Sequence, residues 1–168
     1  MKKIIIVLFV FGIYNFSFSQ VIKEEKLEEV TVTAVNYKYI SSVGGEDVAF
    51  PVRLLEREAA KWTPKESDLY EDEYDFYKIS FFIPEGKIVA AYDKDGKILR
   101  TIEKFKNVKL PKVVSSAIVD RFPGWDVVED VYLVKYNDKK GTSKKYKIKL
   151  QNGDQMIKVK MDAEGNFL

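Results

Sequence analysis

The feature that most constrains the fold is an internal repeat. YKIKLQNGDQMIKVKMDAEGNFL, residues 146–168, repeats YKISFFIPEGKIVAAYDKDGKIL, residues 77–99, at an offset of 69 positions with no gap. Seven of the 23 positions are identical, including the tyrosine that opens each copy and the leucine that closes it. Self-similarity of this kind predicts two copies of one supersecondary unit that bury their apolar faces side by side.

Each copy follows a helical pattern that begins next to a proline, which suits the first turn of a helix because its missing N–H would be unbonded there. The first helix is predicted from Pro51 to a stop before Pro64, and the second from Pro111 to a stop at Pro123. Apolar residues then alternate along the strands, which predicts an antiparallel sheet covered on one face. The core-facing positions are Tyr77, Ile79, Phe81, Ile83, Ile88, Ala90 and Tyr92 in the first copy, and Tyr146, Ile148, Leu150, Ile157, Val159 and Met161 in the second.

The predicted fold class is therefore α+β. Two tandem units, each a helix followed by an antiparallel meander, share one antiparallel sheet with the helices packed on one face. The first unit is assigned to residues 50–109 and the second to residues 110–168. The segment WDVVEDVYLVKY, residues 125–136, is predicted to add one or two strands to the second unit.

The start of the chain has the pattern of a secretory signal peptide. A basic MKK precedes an apolar run at 4–16 and small residues at 17–19, so cleavage is expected before Gln20. We therefore expect an exported protein, periplasmic or secreted, with no stable membrane insertion after cleavage. Residues 20–49 are predicted to form a polar arm, and the alternation in LEEVTVTA leaves open either an edge strand or a flexible arm.

Composition argues against most catalytic schemes. The chain has no cysteine and no histidine, which removes thiol chemistry, the commonest general base and the commonest transition-metal ligand. The sequences DKDG at 93–96 and DAEG at 162–165 have too few carboxylates for a calcium loop and are interpreted as hairpin turns. The acidic run at 66–75 is interpreted as a solvated loop. No catalytic residue, metal site or cofactor is predicted.

The arrangement resembles the PepSY-like and beta-lactamase-inhibitor-protein-like (BLIP-like) exported proteins, which are built from tandem units of a helix and about four antiparallel strands. LPKVVSSAIVDRFPGW (110–125), YKIKL (146–150) and MDAEGNFL (161–168) carry the resemblance, with looser matches at 51–62 and 90–99. The resemblance implies a binding or inhibitor-like module. A nucleotide-adenylyltransferase role, which would use a His-x-Gly-His motif and a parallel sheet, does not fit a chain without histidine.

The positions that alternate with the predicted core define a candidate binding surface. It holds Phe82, Val89, Lys147, Lys149, Lys158 and Lys160. Residues 20–75 carry 14 acids and 7 bases, whereas residues 76–168 carry 19 bases and 12 acids, so an acidic envelope protein is the expected partner and nucleic acid is not. Two alternatives stay open: a solvated lysine face that prevents aggregation, and a small-molecule or lipid carrier.

Overall fold

The structure, a computed structural model, describes residues 34–168. Its helices are α1 (Tyr37–Val43), α2 (Phe50–Lys61) and α3 (Lys112–Arg121), and its strands are β1 (Phe76–Ile83), β2 (Gly86–Asp93), β3 (Ile98–Lys106), β4 (Asp126–Asn137), β5 (Gly141–Asn152) and β6 (Gln155–Asp162). Short 3-10 turns lie at Ala34–Asn36 and Pro64–Glu66. The predicted signal peptide and most of LEEVTVTA lie outside the described residues. Within residues 34–168, no helix is long and apolar enough to cross a membrane.

The strands form one six-stranded sheet in the order β1-β2-β3-β4-β5-β6, and each neighbouring pair is antiparallel. The predicted α+β class, with a shared antiparallel sheet, is confirmed. The segment at 125–136 contributes one strand, β4, so each unit contains three full strands rather than about four.

The repeat is preserved in the hydrogen-bonding register. Tyr77 pairs with Tyr92 between β1 and β2, and 69 positions later Tyr146 pairs with Met161 between β5 and β6. The next pairing repeats as well, because Tyr92 faces Ile98 and Met161 faces Phe167 in an isolated bridge. The two units differ where β4 lies: the corresponding place before β1 is taken by the acidic run at 66–75.

Helix α2 has the predicted apolar stripe, since Val52, Leu55 and Ala59 are buried. It starts with Pro51 in its first turn and ends before Pro64. Helix α3 buries a narrower stripe than the sequence indicates, because Val113 is 46% exposed.

Part of the segment predicted as a polar arm, from residue 34 onward, contains a 3-10 turn and helix α1. Helix α1 buries Tyr39 and Val43, and the Tyr39 ring packs edge-on against Tyr136 at 5.2 Å. The buried Asn36 side chain donates to the carbonyls of Ala60 and Gly96, at 3.0 and 2.9 Å, and accepts from the backbone N–H of Ile98 at 2.8 Å. These contacts tie α1 to the core, which a sequence reading of a polar segment overlooks.

The Asp-Gly segments form turns, as predicted. Asp93 Oδ1 accepts from the backbone N–H of Asp95 and Lys97, and Gly96 adopts φ +83°. In the other segment, Asp162 Oδ1 accepts from the backbone N–H groups of residues 164 and 166, at 3.0 and 2.8 Å. Each aspartate thus uses an oxygen to close its own turn.

Candidate functional site

One face of the sheet carries the helices, and the other face is open. Cross-strand register places the following basic residues on the open face: Lys78, Lys87, Arg100, Lys104, Lys106, Lys135, Lys145, Lys147, Lys149, Lys158 and Lys160. Glu129, opposite Lys149, is the acid within the strands of this face, and Asp93, Asp126 and Asp162 lie at strand ends. The open face is therefore strongly cationic.

The lysines predicted for the site form two cross-strand pairs at one edge of the sheet. Lys147 faces Lys160, and Lys149 faces Lys158, between β5 and β6. None of the four belongs to an ion pair in the described part of the chain. Like charges directly opposite each other destabilise a sheet, so these pairs carry an electrostatic cost, and the acid in the cross-strand position next to them is Glu129, opposite Lys149.

Phe82 and Val89 lie near the other edge, on β1 and β2, where Phe82 is 68% exposed. Strands β3 and β4 separate β2 from β5, a distance of three strand spacings or about 14 Å. All six residues of the candidate surface share this face, but they form two groups.

The open face has two depressions. The larger, of about 800 Å³, spans β1 to β4 and is lined by Phe76, Val89, Leu99, Ile102 and Leu133 with basic residues around them. The smaller, of about 250 Å³, is lined by the four site lysines with Glu129 and Val131. We call the smaller depression the lysine groove. A partner on the open face can bury apolar surface in the larger depression and pair its carboxylates with the lysine groove.

Sequence reasoning missed the residues that bridge the two groups. Ile102, 59% exposed, and Leu133 lie on β3 and β4. The signal was present in the alternation of β3, but Ile102 points outward while Glu103 points into the core. Isoleucine usually faces the core and glutamate usually faces the solvent. Hydrophobicity alone therefore assigns Ile102 and Glu103 to the wrong faces of the sheet.

A second feature that the sequence did not reveal is a pair of buried carboxyl groups beneath α2. Glu56 on α2 and Glu103 on β3 are each 1% exposed. Glu103 Oε1 accepts from Tyr39 Oη at 2.9 Å and from Thr101 Oγ1 at 2.6 Å. Glu103 Oε2 and Glu56 Oε1 have no hydrogen-bond partner among residues 34–168.

Burial dominates the electrostatics of this pair. Desolvation, together with the nearby Glu103, raises the pKa of Glu56 to about 9, against a smaller opposite effect of Lys144 and Arg53. Desolvation raises the pKa of Glu103 to about 7, while the hydrogen bonds from Thr101 and Tyr39 oppose the rise. Glu56 therefore keeps its proton at neutral pH in the folded protein.

The acidic run at 66–75 is an exposed loop with one 3-10 turn, in agreement with its interpretation. Tyr70 Oη donates to Asp72 Oδ1 at 2.7 Å, and Tyr77 Oη donates to the carbonyl of Glu71 at 3.0 Å. Because the loop precedes the edge strand β1, it lies at the opposite end of the sheet from the lysines of β5 and β6.

The sequence matches no protein-family profile and no curated protein. Among solved structures, the chain is similar to a protein described as BLIP-like from Bacteroides fragilis, at 16% sequence identity and a TM-score of 0.31. The match covers 58% of this chain and 68% of the B. fragilis chain. A likeness this distant identifies neither the family of this chain nor its function.

Proposed function

We propose that this protein is an exported, non-enzymatic binding or inhibitor-like module whose open sheet face captures an acidic protein of the cell envelope. The observation that carries the proposal is the register between β5 and β6, which places Lys147 opposite Lys160 and Lys149 opposite Lys158. A sheet that retains two directly opposed like-charge pairs loses stability by doing so. Carboxylates of a partner, placed in the groove between them, would relieve that repulsion.

The exposed apolar residues support the same role. Ile102 and Phe82 are more than half exposed, and Ile102 borders the larger depression. Lysines spread over a face act chiefly on the rate of encounter, because salt screens charges beyond about 8 Å. Desolvated apolar contacts act on the rate of dissociation instead. The two groups of the open face thus have separable roles.

The first test measures which protein the face retains. Chemical crosslinking in the envelope fraction of the native host, with the full chain as bait, should enrich an acidic protein. The double variant Lys149→Glu with Lys158→Glu should lose it. The matched control is Lys139→Glu with Lys140→Glu, which makes the same charge change in the β4–β5 turn, off the face. If both double variants lose the acidic protein equally, the loss reflects the change in net charge and not the position of the lysines on the open face.

The second test is kinetic, with the partner purified. Reversal of the two groove lysines should lower the association rate by about tenfold at low salt, and less at high salt. Phe82→Ala should leave association unchanged and raise the dissociation rate. If both variants fold normally and bind the partner as the parent does, the open face is a solvated surface and the binding site lies elsewhere.

The export part of the proposal rests on the first 19 residues. N-terminal sequencing of the protein from its host is expected to begin at or near Gln20. An intact Met1 on cytoplasmic protein would contradict it.

A small-molecule or lipid carrier is the second candidate, favoured by the depression of about 800 Å³ with its apolar lining. A carrier should retain a bound molecule that native mass spectrometry detects, and Ile102→Lys should release it. Absence of any added mass in protein isolated from the host envelope would count against the carrier and leave protein binding in place.

A further inference from the structure

A cleft on the helix side of the protein lies between α1 and α2, in the opposite layer from the open sheet face. Its volume is about 350 Å³, and Ser41, Gly44, Gly45, Arg53, Glu56 and Arg57 line it. That volume is at the small end of ligand sites. Gly44 keeps the rim close to α1, since a Cβ there would meet the carbonyl oxygen of Ile40 at 2.7 Å.

Two buried polar atoms beside the cleft have no hydrogen-bond partner. They are Arg53 Nε and Glu56 Oε1. Their residues are three apart on α2, so the side chains lie on the same face of the helix. Glu56 is 1% exposed, and buried polar groups are nearly always paired in folded proteins. The wall of the cleft therefore offers hydrogen-bonding capacity that the described residues do not use.

The charge of the cleft favours an anion. Arg53 and Arg57 both line it, four residues apart on α2, and neither takes part in an ion pair of the described residues. The acid at the rim is Glu46, which is exposed. Glu56 does not offset the arginines, because burial and the neighbouring Glu103 raise its pKa to about 9. A protonated carboxyl is also a donor.

We propose that this cleft binds a small carboxylate, with the guanidinium groups of Arg53 and Arg57 as its donors and Glu56 in its wall. A carboxylate has two acceptor oxygens, and a guanidinium matches that geometry better than any other side chain. The site is independent of the open sheet face, so either can be present without the other.

The test follows the amide resonances of the full chain by NMR during titration with acetate. Saturable shifts are expected at Ser41, Gly44 and Gly45. Acetamide has the same shape without the charge, and sodium chloride matches the ionic strength, so neither should produce these shifts. Equal shifts with acetamide would overturn the assignment to a carboxylate. Equal shifts with sodium chloride would show that ionic strength causes them, which would also overturn the proposed carboxylate site.

Variants locate the site. The Arg57 side chain is exposed, so Arg57→Gln should leave folding intact. It should weaken the affinity for acetate by about tenfold. Arg53→Gln should have at least as large an effect. Arg121→Gln on α3 is the matched control, because its guanidinium lies over the ring of Phe167 at 4.5 Å, away from the cleft. If Arg57→Gln binds acetate as the parent does, the proposal is wrong.

Discussion

Glu56→Gln should stabilise the protein, and the gain should grow as pH rises. Glu56 lies on α2 with 1% of its surface exposed, and its Oε1 has no hydrogen-bond partner in the described part of the chain. Burial and the neighbouring Glu103 raise its pKa from 4.5 to about 9. Folding at neutral pH therefore takes up a proton that the unfolded chain has released. Glutamine cannot ionise, so the variant folds without that proton uptake.

The magnitude follows from the two pKa values. The folded pKa is raised, so stability from this group is fully present below pH 4.5 and is lost as pH rises toward 9. Each pH unit within that window costs about 1.4 kcal/mol. At pH 7 the parent has lost about 3 kcal/mol relative to the variant, and at pH 5 under about 1 kcal/mol. A 3 kcal/mol gain is large against a typical folding free energy of about 5–15 kcal/mol.

The assay is urea denaturation of the parent and the variant from about pH 5 to about pH 8. Comparing the two proteins at each pH cancels the titration of the groups that they share and that do not interact with Glu56. The matched control is Glu58→Gln on the same helix, whose side chain is 52% exposed and pairs with Lys61 at 3.4 Å. That control should change stability by under about 1 kcal/mol, because an exposed ion pair contributes little.

A gain that stays constant across the pH range would refute the reasoning, because it would mean that Glu56 titrates alike in the folded and unfolded states. A loss of stability at every pH would also refute it, since it would show that the folded protein needs the ionised carboxylate. Either conclusion requires that the parent and the variant show the same dependence of the unfolding free energy on urea concentration.

Three further changes test the fold and the candidate surface by equilibrium denaturation. Lys158→Glu should raise the unfolding free energy by a few tenths of a kcal/mol, because it creates an opposite-charge pair across β5 and β6; a loss would mean that the opposed lysines do not repel. Asn36→Ala should lower it by about 3 kcal/mol, since three buried hydrogen bonds disappear; a loss under about 1 kcal/mol would show that the Asn36 contacts are dispensable. Gly86→Ala should cost more than about 2 kcal/mol because its Cβ would overlap the β3 backbone, whereas at the control Gly45→Ala the nearest atom is 3.7 Å away; equal effects would contradict the packing argument.

Local signals in the sequence determined much of the architecture. The repeat at an offset of 69 predicts the shared sheet because paired copies keep the same register, as Tyr77–Tyr92 and Tyr146–Met161 show. The prolines at 51 and 111 mark the starts of α2 and α3 because proline acts on its own φ angle and N–H. Asp-Gly turns are equally local, since the aspartate oxygen reaches backbone groups only two to four residues away.

The tertiary structure decided what depends on residues far apart in sequence. Asn36 is buried because Ala60, Gly96 and Ile98 surround it, from 24 to 62 positions away. Glu103 faces inward between Thr101 and Phe105, where Tyr39 of α1 donates a hydrogen bond to it, although a glutamate side chain by itself prefers water. Phe82 lies far from the lysine groove because β3 and β4 stand between them. Alternation along a strand assigns a face to each side chain, but only strand order sets how far apart two side chains on that face lie.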